Sequence, residues 1–220
     1  GQDPESQIVT DKVWHELAFG LENLGCSVGE INRRVSEMAS YFGIQTWFRK
    51  DTCELSGGQK QLLNLAAVMA MHPKAIILDE PTSQLDPVAA SEFLNTLRRI
   101  NQELGTTIVI TEHRLEEVFP MADQVLLMED GRLLFQGTPQ ETVRFVARAQ
   151  KEELRELLPA SVRICMQVQP DCAAIPLTVR EGRLWLTETV KEPQIRHLER
   201  PKAETPVQDT AICMEEVWFR

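Results

Sequence analysis

No stretch of this chain is long and apolar enough to cross a bilayer. The most continuous apolar run, Leu65 to Met71, falls far short of the roughly 20 residues required. No basic segment followed by an apolar one opens the sequence, so no export signal is visible. A basic excess is also missing. With 23 Lys and Arg against 33 Asp and Glu, the formal net charge is −10, which gives no broad attraction to nucleic acid or to an anionic membrane. The cysteines are five, an odd number, and form no CxxC pair, which speaks against a disulfide scaffold or a structural zinc site and for a reducing compartment.

What remains is ordinary globular material, 43% apolar and 25% charged over 220 residues. After the turn-rich opening of residues 1–10, Asp11 precedes Val13, Leu17, Phe19 and Leu21 at helical spacing. Ile31, Val35, Met38 and Phe42 repeat that spacing, and Gly43 ends it. Ser56 starts a third helix that stops near His72 and Pro73. Residues 11–72 are therefore expected to be mainly helical.

The pattern then changes. "AIILDE" is short and continuously apolar, as for a strand covered on both faces, and "TTIVIT" matches it after a helix from about Ala89 to Leu104. This strand, helix, strand unit places the chain in the α/β class. "QVLLMEDGRLLFQG" reads as a hairpin turning at Asp130 and Gly131, and a charged helix runs from Pro139 to about Leu158. Within 159–189, "VRICMQVQ" and "GRLWLTET" are read as two strands of a small appended β region, where Arg163, Arg180 and Arg183 are either solvated or partner contacts. Residues 190–209 have the prolines and charge of a linker, and "TAICMEEVWFR" begins a new apolar strand over 210–220.

Chemistry concentrates between Leu55 and His113. In "LSGGQ", Gly57 and Gly58 let backbone amides approach a ligand at the start of a helix, an arrangement suited to an anion. Ser56 can donate its hydroxyl to phosphate or cap the helix, while Gln59 and Gln61 can serve the site or lie on the surface. Asp79 and Glu80 follow "AIIL" at the end of a strand. Asp79 suits a hydrated Mg²⁺ and Glu80 suits orientation or deprotonation of an attacking water, unless the two are a solvated acidic turn. Asp86 either fixes a loop near nucleotide or caps the helix after Pro87, and His113 returns to the same strand edge as Glu80. Gln2 either reaches metal and water from the opening turn or is an exposed terminal glutamine.

"LSGGQKQ", "AIILDEPTSQLD" and "TEH" resemble the signature, Walker B, D-loop and switch-histidine motifs of ABC ATPases, a resemblance that covers residues 2 to about 145. It implies a partial P-loop NTPase core, with 11–72 as helical subdomain and signature helix and 73–158 as the C-terminal half of the core. ATP and Mg²⁺ are the implied ligands. The implied roles are catalytic for Glu80, His113 and Gln2, nucleotide-binding for Ser56, Gly57, Gly58, Gln59 and Asp86, and metal-binding for Asp79 and Gln2. The opening "GQDPESQIVTDKVWHELAFGLEN" is similar to energy-coupling-factor ATPases of vitamin and metal uptake. That likeness implies a second ABC ATPase domain and a transmembrane transporter subunit as partners, no nucleic acid, and a peripheral place on the cytoplasmic face of the membrane.

No G-x-x-x-x-G-K-[ST] occurs in residues 1–220, although the resembling family places this phosphate grip before the Q-loop glutamine. The expectation is an internal fragment of a tandem ATPase, inactive alone. Two rivals stand beside it: a non-transport ABC ATPase of DNA repair or chromosome organisation, and a non-catalytic regulatory fragment. The span of about 50 residues between Gln2 and Leu55 favours transport over the first, and the presence of both catalytic candidates speaks against the second.

Overall fold

The computed structural model describes residues 7–149, 152–170, 172 and 174–189. Gln2, the linker at 190–209 and the strand expected over 210–220 lie outside the described residues. Helix α1 (Val13–Asn23) buries Val13, Leu17, Ala18 and Leu21 along one face. Its start has no capping side chain at Lys12. The first-turn residue Glu16 instead reaches back, its Oε2 accepting hydrogen bonds from the Val9 and Thr10 amides and the Thr10 hydroxyl. Helix α2 (Val28–Tyr41) is capped by Ser27, whose Oγ accepts from the Glu30 amide, and the chain leaves it through Gly43 at φ +70°.

Helix α3 (Gly57–Ala70) packs against α1 and α2 and buries Leu63, Leu65, Ala66, Met69 and Ala70. These helices and the inner side of the following sheet share one hydrophobic core. The strand β1 (Ala75–Asp79), helix α4 (Pro87–Leu104) and strand β2 (Thr107–Thr111) form the expected parallel unit. Asp86 caps α4, Pro87 occupies its first turn, where a missing N–H does no harm, and Gly105 ends it at φ +67°. The register pairs Ala75 with Thr107 and Asp79 with Thr111, so Asp79 and Thr111 sit side by side at the strand ends.

The expectation that β1 is covered on both faces fails among the described residues. Ile76, Leu78, Ile108 and Ile110 face the helices, whereas Ile77 on the opposite face is 80% exposed and Val109 is exposed as well. Strand alternation puts Asp79 and Thr111 on that same open face.

The hairpin β3 (Val125–Glu129) and β4 (Arg132–Gly137) turns at Asp130 and Gly131, both at positive φ, as a two-residue turn requires. A short helix that was not expected, α5 (Leu115–Val118), follows β2. The span from Pro139 to Leu158 expected as one charged helix holds α6 (Pro139–Ala149) and α7 (Glu152–Glu156), with residues 150 and 151 outside the described set. The β region expected over 159–189 is helical. Helices α8 (Ala160–Val168) and α9 (Val179–Thr189) replace the two strands, and α8 joins a second core with Phe119, Val143, Val146 and Leu158. The apolar alternation of Val162, Ile164, Met166 and Val168 misleads because burial selects Val162 and Cys165, three apart, and leaves Ile164 and Val168 exposed. Gly182 of α9 completes the pairing, since a Cβ there would lie 3.0 Å from that of Ser161.

Candidate nucleotide site

Two loops at the ends of β1 and β2 build the densest polar cluster associated with the motifs. Asp79 Oδ1 accepts a 2.6 Å hydrogen bond from the Thr111 hydroxyl, a consequence of the strand register. The Glu80 amide donates to the Thr111 carbonyl at 3.0 Å and to Thr111 Oγ1 at 3.1 Å. Glu80 then turns into the left-handed region at φ +43°, where an L residue without special stabilisation loses about 1–2 kcal/mol. That turn aims its carboxylate at the second loop: Oε1 lies 2.9 Å from His113 Nε2. Glu80's side chain is 29% exposed and that of His113 81%, so the pair stands at a surface open to a ligand.

The loop after Glu80 is held from two sides. Gln61 of α3, expected among the surface possibilities, is buried and donates from Nε2 to the Pro81 carbonyl at 3.1 Å. Thr82 is fully buried, and its amide and hydroxyl both donate to Glu112 Oε1, at 2.9 and 2.5 Å. Gln61, weighed in the sequence between the site and the surface, is therefore a neighbour of the candidate site, as are Thr82, Thr111 and Glu112, which sequence reasoning left unassigned. Their signal was only a polar residue beside each recognised motif, which spacing alone does not distinguish from a solvated one.

The glycine turn shows its two readings separately. Ser56 Oγ accepts from the Gln59 amide at 3.3 Å, while Gln59 Oε1 accepts from the Ser56 amide at 3.0 Å, a reciprocal cap of α3. Gly57 has nothing within 4 Å of where a Cβ would stand, so its backbone is open to an approaching group. Gly58 would place a Cβ 3.2 Å from that of Ala89, which explains this glycine by the close approach of α3 to the first turn of α4. Asp86 serves as a cap, its Oδ1 accepting from the Val88 and Ala89 amides at 2.9 and 3.0 Å. The structure thus brings Asp79, Glu80 and His113 together, whereas no hydrogen bond among the described residues joins Ser56, Gln59 or Asp86 to those three. Gln2 lies outside the described residues.

The donor set at Asp79 fits a magnesium ion. Among the described residues its Oδ2 accepts no hydrogen bond, and among them no group of three or more His, Cys, Asp or Glu could hold a metal on its own. One carboxylate oxygen at an open edge is what Mg²⁺ uses when waters and substrate phosphates complete its shell.

Known proteins resemble this chain in sequence and in overall fold. The sequence profile of the ABC transporter family matches residues 2–83. A protein of Bacillus thuringiensis subsp. konkukian named as an ABC transporter ATP-binding protein is 42% identical over 219 residues, covering 100% of this chain. This chain spans 38% of the length of that relative. Energy-coupling factor transporter ATP-binding protein EcfA1 of Caldanaerobacter subterraneus subsp. tengcongensis is 38% identical over 185 residues, which are 82% of this chain and 65% of EcfA1. Among solved structures, CbiO1 of Clostridium perfringens, described as part of the ABC transporter complex CbiONQ, superposes with a TM-score of 0.61 at 34% identity. It covers 84% of this chain and 64% of its own. In sequence and in its α/β P-loop NTPase fold, the chain belongs to the ABC transporter ATP-binding family.

Proposed function

We propose that this chain is the part of an ATP-hydrolysing transport subunit that supplies the signature turn and the water-activating residues. The observation that carries the proposal is the 2.9 Å contact between Glu80 and His113 beside the Asp79 and Thr111 pair. In this reading Glu80 accepts a proton from the water that attacks the terminal phosphorus of ATP, a general-base role worth about 10²- to 10⁴-fold in rate. ADP departs with its β-phosphate oxygen. His113 orients the Glu80 carboxylate through Nε2 and presents the imidazole edge to the terminal phosphate. Asp79, steadied by Thr111, would hold Mg²⁺, which when bound neutralises phosphate charge.

The signature turn acts elsewhere. Gly57 and the open first turn of α3 present amide donors to a nucleotide carried by a second ABC ATPase domain. Hydrolysis is coupled through membrane subunits to uptake of a vitamin or metal ion, at the cytoplasmic face of the membrane. The names of EcfA1 and CbiO1 support this assignment, as does the likeness of the opening segment to such ATPases. No helix among the described residues is long and apolar enough to cross a membrane, in keeping with a peripheral place beside a membrane partner.

Because residues 1–220 hold no G-x-x-x-x-G-K-[ST] turn, the chain by itself is expected to show negligible ATP turnover. Phosphate release from Mg-ATP is to be compared for this chain and for the full-length protein, each with and without Glu80→Gln. Turnover in the full-length protein alone, reduced about 10²- to 10⁴-fold by the substitution, is the expected result. Robust turnover by the 220-residue chain that disappears with Glu80→Gln overturns the claim that the phosphate grip lies outside it.

A further inference from the structure

We infer that Glu112 is a positioning residue that locks the loop carrying Glu80 to the strand end carrying His113. The inference rests on the reading of Glu80 and His113 given above. Glu112 immediately precedes His113, and its two carboxylate oxygens are used separately. Oε1 accepts from the amide and hydroxyl of Thr82, and Oε2 accepts from the His113 amide at 3.1 Å. One side chain therefore spans both loops.

The contact matters because Glu80 is in a backbone conformation that L residues avoid, at φ +43°. Such a conformation persists only where neighbouring atoms fix it from both sides. On the near side, Thr111 receives the Glu80 amide. On the far side, Gln61 holds the Pro81 carbonyl and Glu112 holds Thr82, two residues beyond Glu80 and fully buried. Releasing Thr82 leaves the far end of this turn to the Ser83 amide on the Glu80 carbonyl at 3.2 Å, the Leu85 amide on the Thr82 carbonyl at 3.1 Å and the Gln61 bond to Pro81. None of these ties it to the strand end of His113, so the Glu80 carboxylate is set less firmly against His113.

The residue type is dictated by the donors. An ionised carboxylate accepts at both oxygens, and both face N–H or O–H groups here. Glutamine keeps the shape but turns its NH₂ group toward either Thr82 or the His113 amide, setting donor against donor. Glu112→Gln therefore breaks one arm of the bridge, and Thr82→Val removes the hydroxyl while keeping the side-chain volume.

The test is steady-state ATP hydrolysis by the full-length protein and by its Glu112→Gln, Thr82→Val and Thr82→Ser variants, with thermal midpoints measured alongside. Misplacement of a catalytic group lowers kcat by about 10- to 100-fold, with KM for ATP and the thermal midpoint unchanged. That result is expected for Glu112→Gln and Thr82→Val, with Thr82→Ser retaining the parent kcat. Unchanged kcat in both variants overturns the inference, as does a loss of kcat that only tracks a fall in thermal midpoint. Absence of turnover in the unsubstituted protein overturns the functional reading and this inference with it, whereas normal turnover with an unaffected Glu112→Gln overturns the inference alone.

Discussion

Removing the Glu16 carboxylate should loosen the segment that leads into the first helix and, through it, the approach to the signature turn. Glu16 is buried at the start of α1, and its Oε2 accepts from the Val9 amide at 3.1 Å, the Thr10 amide at 2.8 Å and the Thr10 hydroxyl at 2.9 Å. The Thr10 carbonyl in turn accepts from the Thr52 hydroxyl at 2.9 Å, four residues before Ser56. Hydrogen bonds to a charged acceptor are worth up to about 3 kcal/mol each, but the donors here are partly exposed and water re-pairs them. A net value of about 1 kcal/mol per bond gives about 3 kcal/mol for Glu16→Ala. Glu16→Gln keeps one accepting oxygen and is expected to lose about 1 kcal/mol.

For a chain of this size each kcal/mol moves the thermal midpoint by about 2–4 °C, so Glu16→Ala should lower Tm by about 6–12 °C and Glu16→Gln by about 2–4 °C. Circular dichroism at the helical band gives the midpoint, and amide hydrogen exchange at Val9 and Thr10 reports the local loss. The reasoning is refuted if Glu16→Ala lowers Tm by less than about 2 °C, or if the Val9 and Thr10 amides stay as protected as in the parent.

Two further outcomes follow from the same coordinates. Asp86→Ala should destabilise the chain by about 1 kcal/mol through loss of the α4 cap, whereas Asp86→Asn, an equally good cap, should be nearly neutral. Urea unfolding separates them, and equal losses would show that Asp86 does not act through its amide contacts. Burial pushes the Cys165 thiol up to about 12, with neighbouring Cys172 adding to the rise, so at pH 8 almost none of it is thiolate. Iodoacetamide at pH 8 should therefore label exposed Cys53 well before Cys165 in the folded chain, read by peptide mass spectrometry, and simultaneous labelling would contradict the buried placement.

The sequence was most informative where periodicity and chain punctuation agreed. Ser56 and Asp86 each accept a first-turn amide, and Gly43 ends its helix at positive φ, so these helix limits were legible from residue type. It misled at α8, where an alternating run has the same letters as a helix face and only the partner surface decides between them. Strand coverage failed for a related reason. "AIIL" is apolar whether or not a layer stands over Ile77, because composition records what a face can bury and not what lies against it.

The site divides along the same line. Asp79, Glu80 and His113 could be named because their motifs and strand-end positions are local, and the parallel register then brings the loops together. Thr82 and Glu112 could not, and Gln61 could only be weighed against a surface place, since each is held by a contact across 20 to 30 residues of sequence that no spacing encodes. Those contacts make the helix after the glycine turn continuous with the catalytic loop: Gly58 packs on Ala89, and one turn later Gln61 holds Pro81. Helix α3 thus contacts the segment from Pro81 to Ala89 at both of its ends, and the first residue of that segment directly follows Glu80.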